Sequence, residues 1–363
     1  MNATRNERAI GYWLLACCAV LLALVMLGGA TRLTGSGLSI VDWRPVTGVL
    51  PPMNETAWLV EFDKYRQSPE YQKVNRGMSL DEFKTIFYYE YWHRVLARLL
   101  GLVFALPLAW FWLRGRIPRH LRWPLLGLLA LGAAQGWMGW FMVQSGLVDI
   151  PRVSPYRLAA HLSLALVIYA GMFWLALKLL WPQAQAGTRS RAFPALLTLV
   201  AFTILSGAFV AGLKAGYVYN TFPLMDGRLV PTGVLYLEPA WRNFFENPAT
   251  VQFMHRCLAI GTLLAVLAAW LVGWRRLAPG PARFALHALL AITLMQVALG
   301  IATLLLYVPV WLGTLHQGGA VIVLSAVLVL GHVVRSRAAL GDVRNATGPG
   351  LEAGEDASRS HAL

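Results

Sequence analysis

EYWHRVLARLLG, residues Glu90–Gly101, sits where a long polar stretch runs into an apolar one. Glu90 and His93 are three apart, so on a helix they share one face. Ionisable groups at the mouth of a membrane span are costly to keep there, which makes each a candidate functional residue. The idiom returns at Gln252–Gly261 as QFMHRCLAIG, with His255 and Arg256 in the places of His93 and Arg94. A His-Arg opening two equivalent helices points to paired histidine ligands.

The rest of the chain has the composition of a membrane protein. It is 57% hydrophobic and 13% charged, with mean hydropathy +0.55, where soluble domains carry about 25% charged residues. A formal charge of +14 would suggest nucleic acid in a soluble chain. Here the arginines lie in short connections between apolar runs, so topology explains them and no nucleic-acid partner is called for. The 15 tryptophans suit interfacial belts, although Trp137 and Trp140 fall inside a span. Cys17, Cys18 and Cys257 all lie in apolar runs and read as small buried hydrophobes. The first apolar run is too long for a cleaved signal, and MNATRNERAI does not resemble an organelle transit peptide. The expectation is a retained first helix in a bacterial inner (plasma) membrane.

Eight runs are long enough to cross a bilayer: 9–31, 91–113, 123–143, 157–181, 193–213, 251–274, 284–306 and 312–333. One set of connections holds Arg114, Arg116, Arg119, Arg122, Arg189, Arg191, Arg275, Arg276 and Arg283, with Arg335 and Arg337 after the last span. The positive-inside rule places these, and both termini, in the cytoplasm. Arg152, Arg157, Lys214, Arg228 and Arg242 fall on the other side, so the bias is clear without being absolute. Residues 338–363 are rich in Gly, Ala, Ser and charge, and are expected to stay disordered on the cytoplasmic side.

The halves repeat. Each has a span, a long outer loop, a span opening with His-Arg, a short inner loop, a span with Gln-x-x-x-Gly and a span opening with His. The Gln–Gly pairs are Gln135/Gly139 and Gln296/Gly300, and the closing histidines are His161 and His316. An even number of spans separates the units, so both have one orientation, as in a parallel repeat. The fold expected is all-α and integral to the membrane: eight transmembrane helices as two pseudo-symmetric four-helix bundles. The N-terminal half is 1–182, with a long outer loop over 32–85; the C-terminal half is 183–337; the tail is 338–363.

His120, His287, His332 and His361 fall in cytoplasmic loops, at helix ends or in the tail, and read as solvated or interfacial. His93, His161, His255 and His316 lie at matched depth near the outer ends of even-numbered spans. One buried histidine is usually a hydrogen-bonded core residue, but two matched pairs are hard to explain that way. Zinc would want a third or fourth protein ligand, and no Cys or Asp accompanies these pairs. Copper suits imidazole, but a helical bundle offers a slot long enough for a planar macrocycle, and two axial histidines from facing helices hold haem. His93 with His161, and His255 with His316, therefore read as two bis-imidazole haem-iron sites. Gly101, Gly132, Gly136, Gly139, Gly261 and Gly300 would let helices and a flat ring approach closely, though helix packing alone explains them as well. Arg94 and Arg256 suit haem propionates, or alternatively anchor the helices at the interface.

Glu90 breaks the symmetry, because its counterpart is Gln252, which does not titrate. That difference suggests chemistry at the N-terminal pair, with electron transfer or structural support at the C-terminal pair. The loops 32–52 and 212–233 are dense in turn residues and would act as lids that keep water from each site. Beyond Asn54 the first loop is polar and expected to be helical in part, with a capping signal at Ser79.

The stretches GGATRLTGSGLSIVDWRPVTGVLPP, EYWHRVLARLLG and NTFPLMDG, with the four histidines, resemble haem A synthase. The likeness covers roughly residues 10–335 and is nearest to the branch shared by alphaproteobacteria and mitochondria. It implies an eight-helix, two-fold pseudo-symmetric bundle that oxidises the C8 methyl of haem O to the formyl of haem A, the haem of terminal oxidases. It implies haem O, with haem A as product, at His93 and His161, and haem b at His255 and His316, with Glu90 as the acidic residue before the first ligand. Another branch has a cysteine pair in an outer loop; this chain has no cysteine in any loop, so a thiol role does not apply. The reaction implied is hydroxylation of a methyl, further oxidation and loss of water. The partners implied are haem O and haem A, membrane lipid and an electron donor the sequence does not name. The haem O-forming prenyltransferase, oxidase assembly factors and a second copy of the chain are further candidates. Three other readings compete with this one. A di-haem b-type cytochrome explains the histidines but not the Glu90/Gln252 difference. A transporter built of parallel repeats would want polar groups at the midplane, where only Gln135 and Gln296 offer themselves. A prenyltransferase would need clustered aspartates.

Overall fold

The Leu80–Leu113 helix begins well before its apolar run, and this extension shapes the outer end of the molecule. A computed structural model describes residues 4–44, 48–148, 151–182 and 192–346, with side chains as far as Val334. In chain order the helices are α1 (Arg5–Leu33), α2 (Glu55–Arg66), α3 (Pro69–Lys73), α4 (Leu80–Leu113), α5 (Arg119–Gln144) and α6 (Pro155–Leu180). There follow α7 (Ala192–Gly212), α8 (Asn243–Glu246), α9 (Pro248–Arg276), α10 (Pro281–Leu305) and α11 (Val310–Ala346). Among the described residues the only non-helical pairing is an isolated bridge between Met225 and Arg228. Eight helices are long and apolar enough to cross a membrane (α1, α4, α5, α6, α7, α9, α10 and α11), so the chain is a multi-pass membrane protein.

Local sequence sets the helix starts. Thr4 with Glu7 and Ser79 with Glu82 form capping boxes on α1 and α4, each satisfying two otherwise unpaired N–H groups. Asn247 accepts from the Ala249 and Thr250 amides at the head of α9. Proline opens α6, α9 and α10, where its missing N–H costs nothing.

The sequence places the second span at 91–113, whereas α4 starts at Leu80, so His93 lies in its fourth turn. The reason is a second, smaller core. Phe83, Phe87 and Tyr91 recur every four residues along α4 and bury against Trp58, Phe62 and Tyr65 of α2. Partner helices thus cover apolar surface outside the lipid, and hydropathy alone does not see it. The C-terminal end differs as well: α11 continues as helix to Ala346, into the segment expected to be disordered, and 347–363 lie outside the described residues.

Within the membrane part, α1 packs on α4, α6 and α11, while α5 packs on α6 and more lightly on α4. In the second half α7 packs on α9, α9 on α10, α10 on α11, and α11 on α7. The seam between the two sets is made by α1, α6, α7 and α11. Ile10, Leu14, Cys17, Leu21 and Val25 form the buried stripe of α1, spaced as a helix face requires. The Gln317 amide donates to the Val25 carbonyl (2.7 Å) and Tyr169 meets Ser325 (2.9 Å), tying α11 to α1 and α6. Two expectations change here. Cys257 is exposed, unlike Cys17 and Cys18, since its face of α9 has no helix against it. His332 is buried, its Nε2 lying 3.0 Å from the Trp181 carbonyl. His361 lies outside the described residues.

The outer connection between α1 and α4 also buries a carboxyl. Glu70 is 7% exposed and accepts from the Tyr65 hydroxyl at 3.1 Å, while Asn75 donates to that same hydroxyl at 2.7 Å. Burial pushes the Glu70 carboxyl up to about 7. The Tyr65 hydrogen bond opposes this, Glu90 adds to it, and Lys214 opposes it. With an unfolded value near 4.5, the folded state holds the extra proton in between. Stability from this group is therefore complete below about 4.5 and is lost as pH rises through about 7. Thermal unfolding compared at pH 5 and pH 8 should show this loss, of the order of 2–3 kcal/mol. Glu70→Gln, which keeps an acceptor for Tyr65 and never ionises, should flatten it.

Candidate functional site

An imidazole ring fits between packed helices only where the facing helix leaves room. All four candidate histidines sit against a glycine of a neighbouring helix. A Cβ built on Gly28 of α1 would lie 2.9 Å from His93 Cε1, and one on Gly139 of α5 would lie 3.2 Å from His161 Cε1. In the second half the corresponding distances are 3.1 Å from Gly207 of α7 to His255 and 2.8 Å from Gly300 of α10 to His316. Two of the six glycines singled out in the sequence, Gly139 and Gly300, therefore seat the rings. Gly101, Gly132, Gly136 and Gly261 have nothing within 4 Å of a built Cβ. Gly28 and Gly207 are added to the set, and they were not legible because the identity of the facing helix is not written in the sequence.

The Gln-x-x-x-Gly pattern now has a physical account. Gln and Gly, one turn apart, share a face toward the histidine helix. The Gln135 amide donates to the His161 main-chain carbonyl at 3.0 Å, and its nitrogen lies 3.4 Å from His161 Nε2. Gln296 does the same for His316, at 2.8 Å to the carbonyl and 3.1 Å to Nδ1. Gly139 and Gly300, a turn later, clear the space for the ring.

His161 lies within electrostatic reach of His93, and His316 of His255, so each half carries its two histidines near one another. Among the described residues no three His, Cys, Asp or Glu side chains form a group that would hold a bare metal ion. Two imidazoles per half, with small residues against their rings, suit a metal that carries its own equatorial ligands. Nδ1 of His93 and of His161 are buried without a protein partner, which leaves both rings with donor or acceptor capacity in hand. The residues present thus fit a macrocycle-bound iron better than a four-coordinate ion.

The residues three before and one after the first histidine of each half hold the outer loops. Glu90 is 3% exposed. One of its oxygens accepts from Ser39 Oγ (2.7 Å) and the Ile40 amide (2.9 Å), and the other from Arg94 Nε (3.1 Å) and Nη2 (2.7 Å). Arg94 also donates to the Ile40 and Asp42 carbonyls at 2.8 and 3.0 Å. In the second half the Gln252 amide donates to the Tyr219 carbonyl (2.9 Å), and Arg256 donates to the carbonyls of Tyr219 (2.9 Å) and Thr221 (2.8 Å). Glu90 and Gln252 thus differ in step with their loops, for one loop presents donors and the other a carbonyl. Arg94 divides its hydrogen bonds between Glu90 and two loop carbonyls, and Arg256 gives two to loop carbonyls while its Nε is buried without a protein partner, so both arginines hold the outer loops whether or not a propionate reaches them.

A family model described as cytochrome oxidase assembly protein, COX15-CtaA, matches residues 11–328. The chain is 49% identical over 335 residues to the heme A synthase of Nitrosospira multiformis, covering 91% of this chain and 94% of that one. It is 51% identical over 326 residues to the heme A synthase of Rhizobium meliloti, covering 88% of each. With Paramagnetospirillum magneticum heme A synthase the identity is 51% over 337 residues, 90% of this chain and 94% of that one.

The seating glycines differ from the open ones in a measurable way. Gly300→Ala forces the His316 ring aside and should lower thermal stability in detergent by about 1–3 kcal/mol, the usual cost of overpacking. Gly101→Ala, with open space at the same atom, should be neutral or gain a few tenths of a kcal/mol as a helix-interior Gly replacement.

Proposed function

The chain belongs to the COX15-CtaA family of cytochrome oxidase assembly proteins, and on that premise we infer that its activity is that of a haem A synthase. The reaction oxidises the C8 methyl of haem O to a formyl group with dioxygen as oxidant: each of two hydroxylations takes one O2, two electrons and two protons and releases one water, and the doubly hydroxylated carbon then loses water. The observation that carries this reading is the two glycine-seated histidines in each half, with the acid Glu90 three residues before the first histidine of only one half. His93 and His161 would hold the substrate haem, and His255 and His316 a haem b. The two halves, 1–182 and 183–337, are then one four-helix unit used twice. Their matched ring seats, glutamine clamps and loop clamps support that. The arginine-rich connections support cytoplasmic termini, with the histidines toward the periplasmic side of a bacterial inner membrane.

Haem b, when bound, supplies one-electron transfer to the substrate site. The protein's own residues do the rest. Gln135 fixes the main chain under His161, and Gly28 and Gly139 set how far each ring can move. Arg94 and Glu90 hold residues 39–42 over the first pair, and Arg256 and Gln252 hold residues 219–221 over the second, so that water is kept from each site. Glu90, held by four hydrogen bonds, stands three residues before His93 as the group assigned to move a proton or stabilise developing charge. Haem O arrives from a prenyltransferase reaction, haem A leaves to oxidase assembly, and electrons come from a donor at the membrane.

The test is co-expression with a source of haem O, followed by extraction of the haems from the purified protein and their identification by mass. Haem b together with haem O, haem A or a hydroxylated intermediate is expected. Two equivalents of haem b per chain with no conversion of haem O would make the protein an electron carrier instead. Glu90→Gln turns an amide donor toward the Ile40 amide or Arg94. It should cut haem A formation by about 10²-fold or more and let haem O or a hydroxylated intermediate accumulate, while haem b content is kept.

A further inference from the structure

The first histidines of the two halves are seated alike and bonded differently. A Cβ on Gly28 would lie 2.9, 3.4 and 3.8 Å from Cε1, Nδ1 and Nε2 of His93. On Gly207 the same three distances to His255 are 3.1, 3.6 and 3.8 Å. The rings therefore occupy equivalent positions, and the residues before the two glycines stand in register: Leu27 in one half, Ser206 in the other. Ser206 Oγ lies 2.8 Å from His255 Nδ1, whereas His93 Nδ1 is buried with no protein partner.

The direction of the Ser206 bond follows from its second partner. The hydroxyl has one proton, and it is donated to the Thr203 carbonyl at 2.7 Å. Oγ therefore meets the ring as an acceptor, and Nδ1 must carry hydrogen. A neutral imidazole with its proton on Nδ1 has its lone pair on Nε2, the form a metal requires. A hydrogen bond to the far nitrogen fixes ring and tautomer and raises the basicity of the ligating nitrogen.

Resting on the reading of the two pairs as haem sites, we propose that Ser206 is the positioning residue that makes the C-terminal site a retaining one. Leu27, in the same place, leaves His93 unfixed, so that the N-terminal site can take up and release its haem. The difference suits the two tasks. A resident cofactor benefits from ligands held in one orientation. A substrate that enters as one haem and leaves as another needs an imidazole that lets go.

The experiment uses the full-length protein, loaded in cells and purified, with excess apomyoglobin as haem acceptor. Transfer is followed by absorbance, each haem being identified by mass, and the reduction potential of haem b is measured by spectroelectrochemistry. Ser206→Val removes the acceptor at nearly constant volume relative to Ser206→Thr, which keeps it. Loss of haem b should be about 10-fold faster in the Val variant and its potential should rise, since a less basic imidazole favours the ferric state less. The Thr variant should behave as the unsubstituted protein. Leu27→Ser should slow release of the N-terminal haem by a similar factor. Equal haem b release and equal potential in the Val and Thr variants would overturn the proposal, as would unchanged release in Leu27→Ser. Absence of haem from the unsubstituted protein would overturn the haem reading itself, a different failure from either of these.

Discussion

Four half-buried imidazoles set between apolar helices need room for the ring and a fixed place for the main chain that carries it. Glycine on the facing helix provides the room at Gly28, Gly139, Gly207 and Gly300, and a side-chain methyl at any of them would meet the ring. This constraint couples distant parts of the chain. The spacing of α1 from α4, of α5 from α6, of α7 from α9 and of α10 from α11 must all be close enough for Cβ-less contact. The histidines are thus as much products of the helix packing as occupants of it. A half in which one interface loosened would lose the seat of its ring.

The outer loops depend on the same helices. Glu90 and Arg94 flank His93 on one face of α4, and Gln252 and Arg256 flank His255 on α9, so the turn that carries each histidine also grips the outer loop. A buried carboxylate–guanidinium pair gains little in net stability, but removing one partner is costly because the other stays buried and unpaired. The pair and the four loop groups bonded to it therefore behave as one unit. The 39–42 segment and the His93 turn of α4 are thereby tied to one another.

Much of this was legible in the sequence, and the gaps have physical causes. Eight spans follow from hydropathy, and the recurrence of His-Arg and Gln-x-x-x-Gly marks the repeat. The early start of α4 was signalled by Ser79 and Glu82, but the Phe83–Phe87–Tyr91 face reads as polar loop because charged residues interrupt it. Gly28, Gly207 and Ser206 escaped notice because they lie on helices with no histidine of their own, and only packing brings them to one. For Arg94 and Arg256 the sequence offers a ligand carboxylate or the membrane interface, and the loop carbonyls they bond in the fold are not written in any pattern of spacing. The exposure of Cys257 and the burial of His332 were likewise decided by which helix face has a neighbour.

The claim on which the account rests is that each half holds its own haem between two histidines. The most direct measurement is the haem content, by extraction and mass, of two single variants set beside the unsubstituted protein: His316→Ala in one half and His161→Ala in the other. Loss of haem b from the first, with the N-terminal haem kept, and loss of haem O or haem A from the second, with haem b kept, is the predicted result. Both haems retained at full stoichiometry in both variants would contradict it.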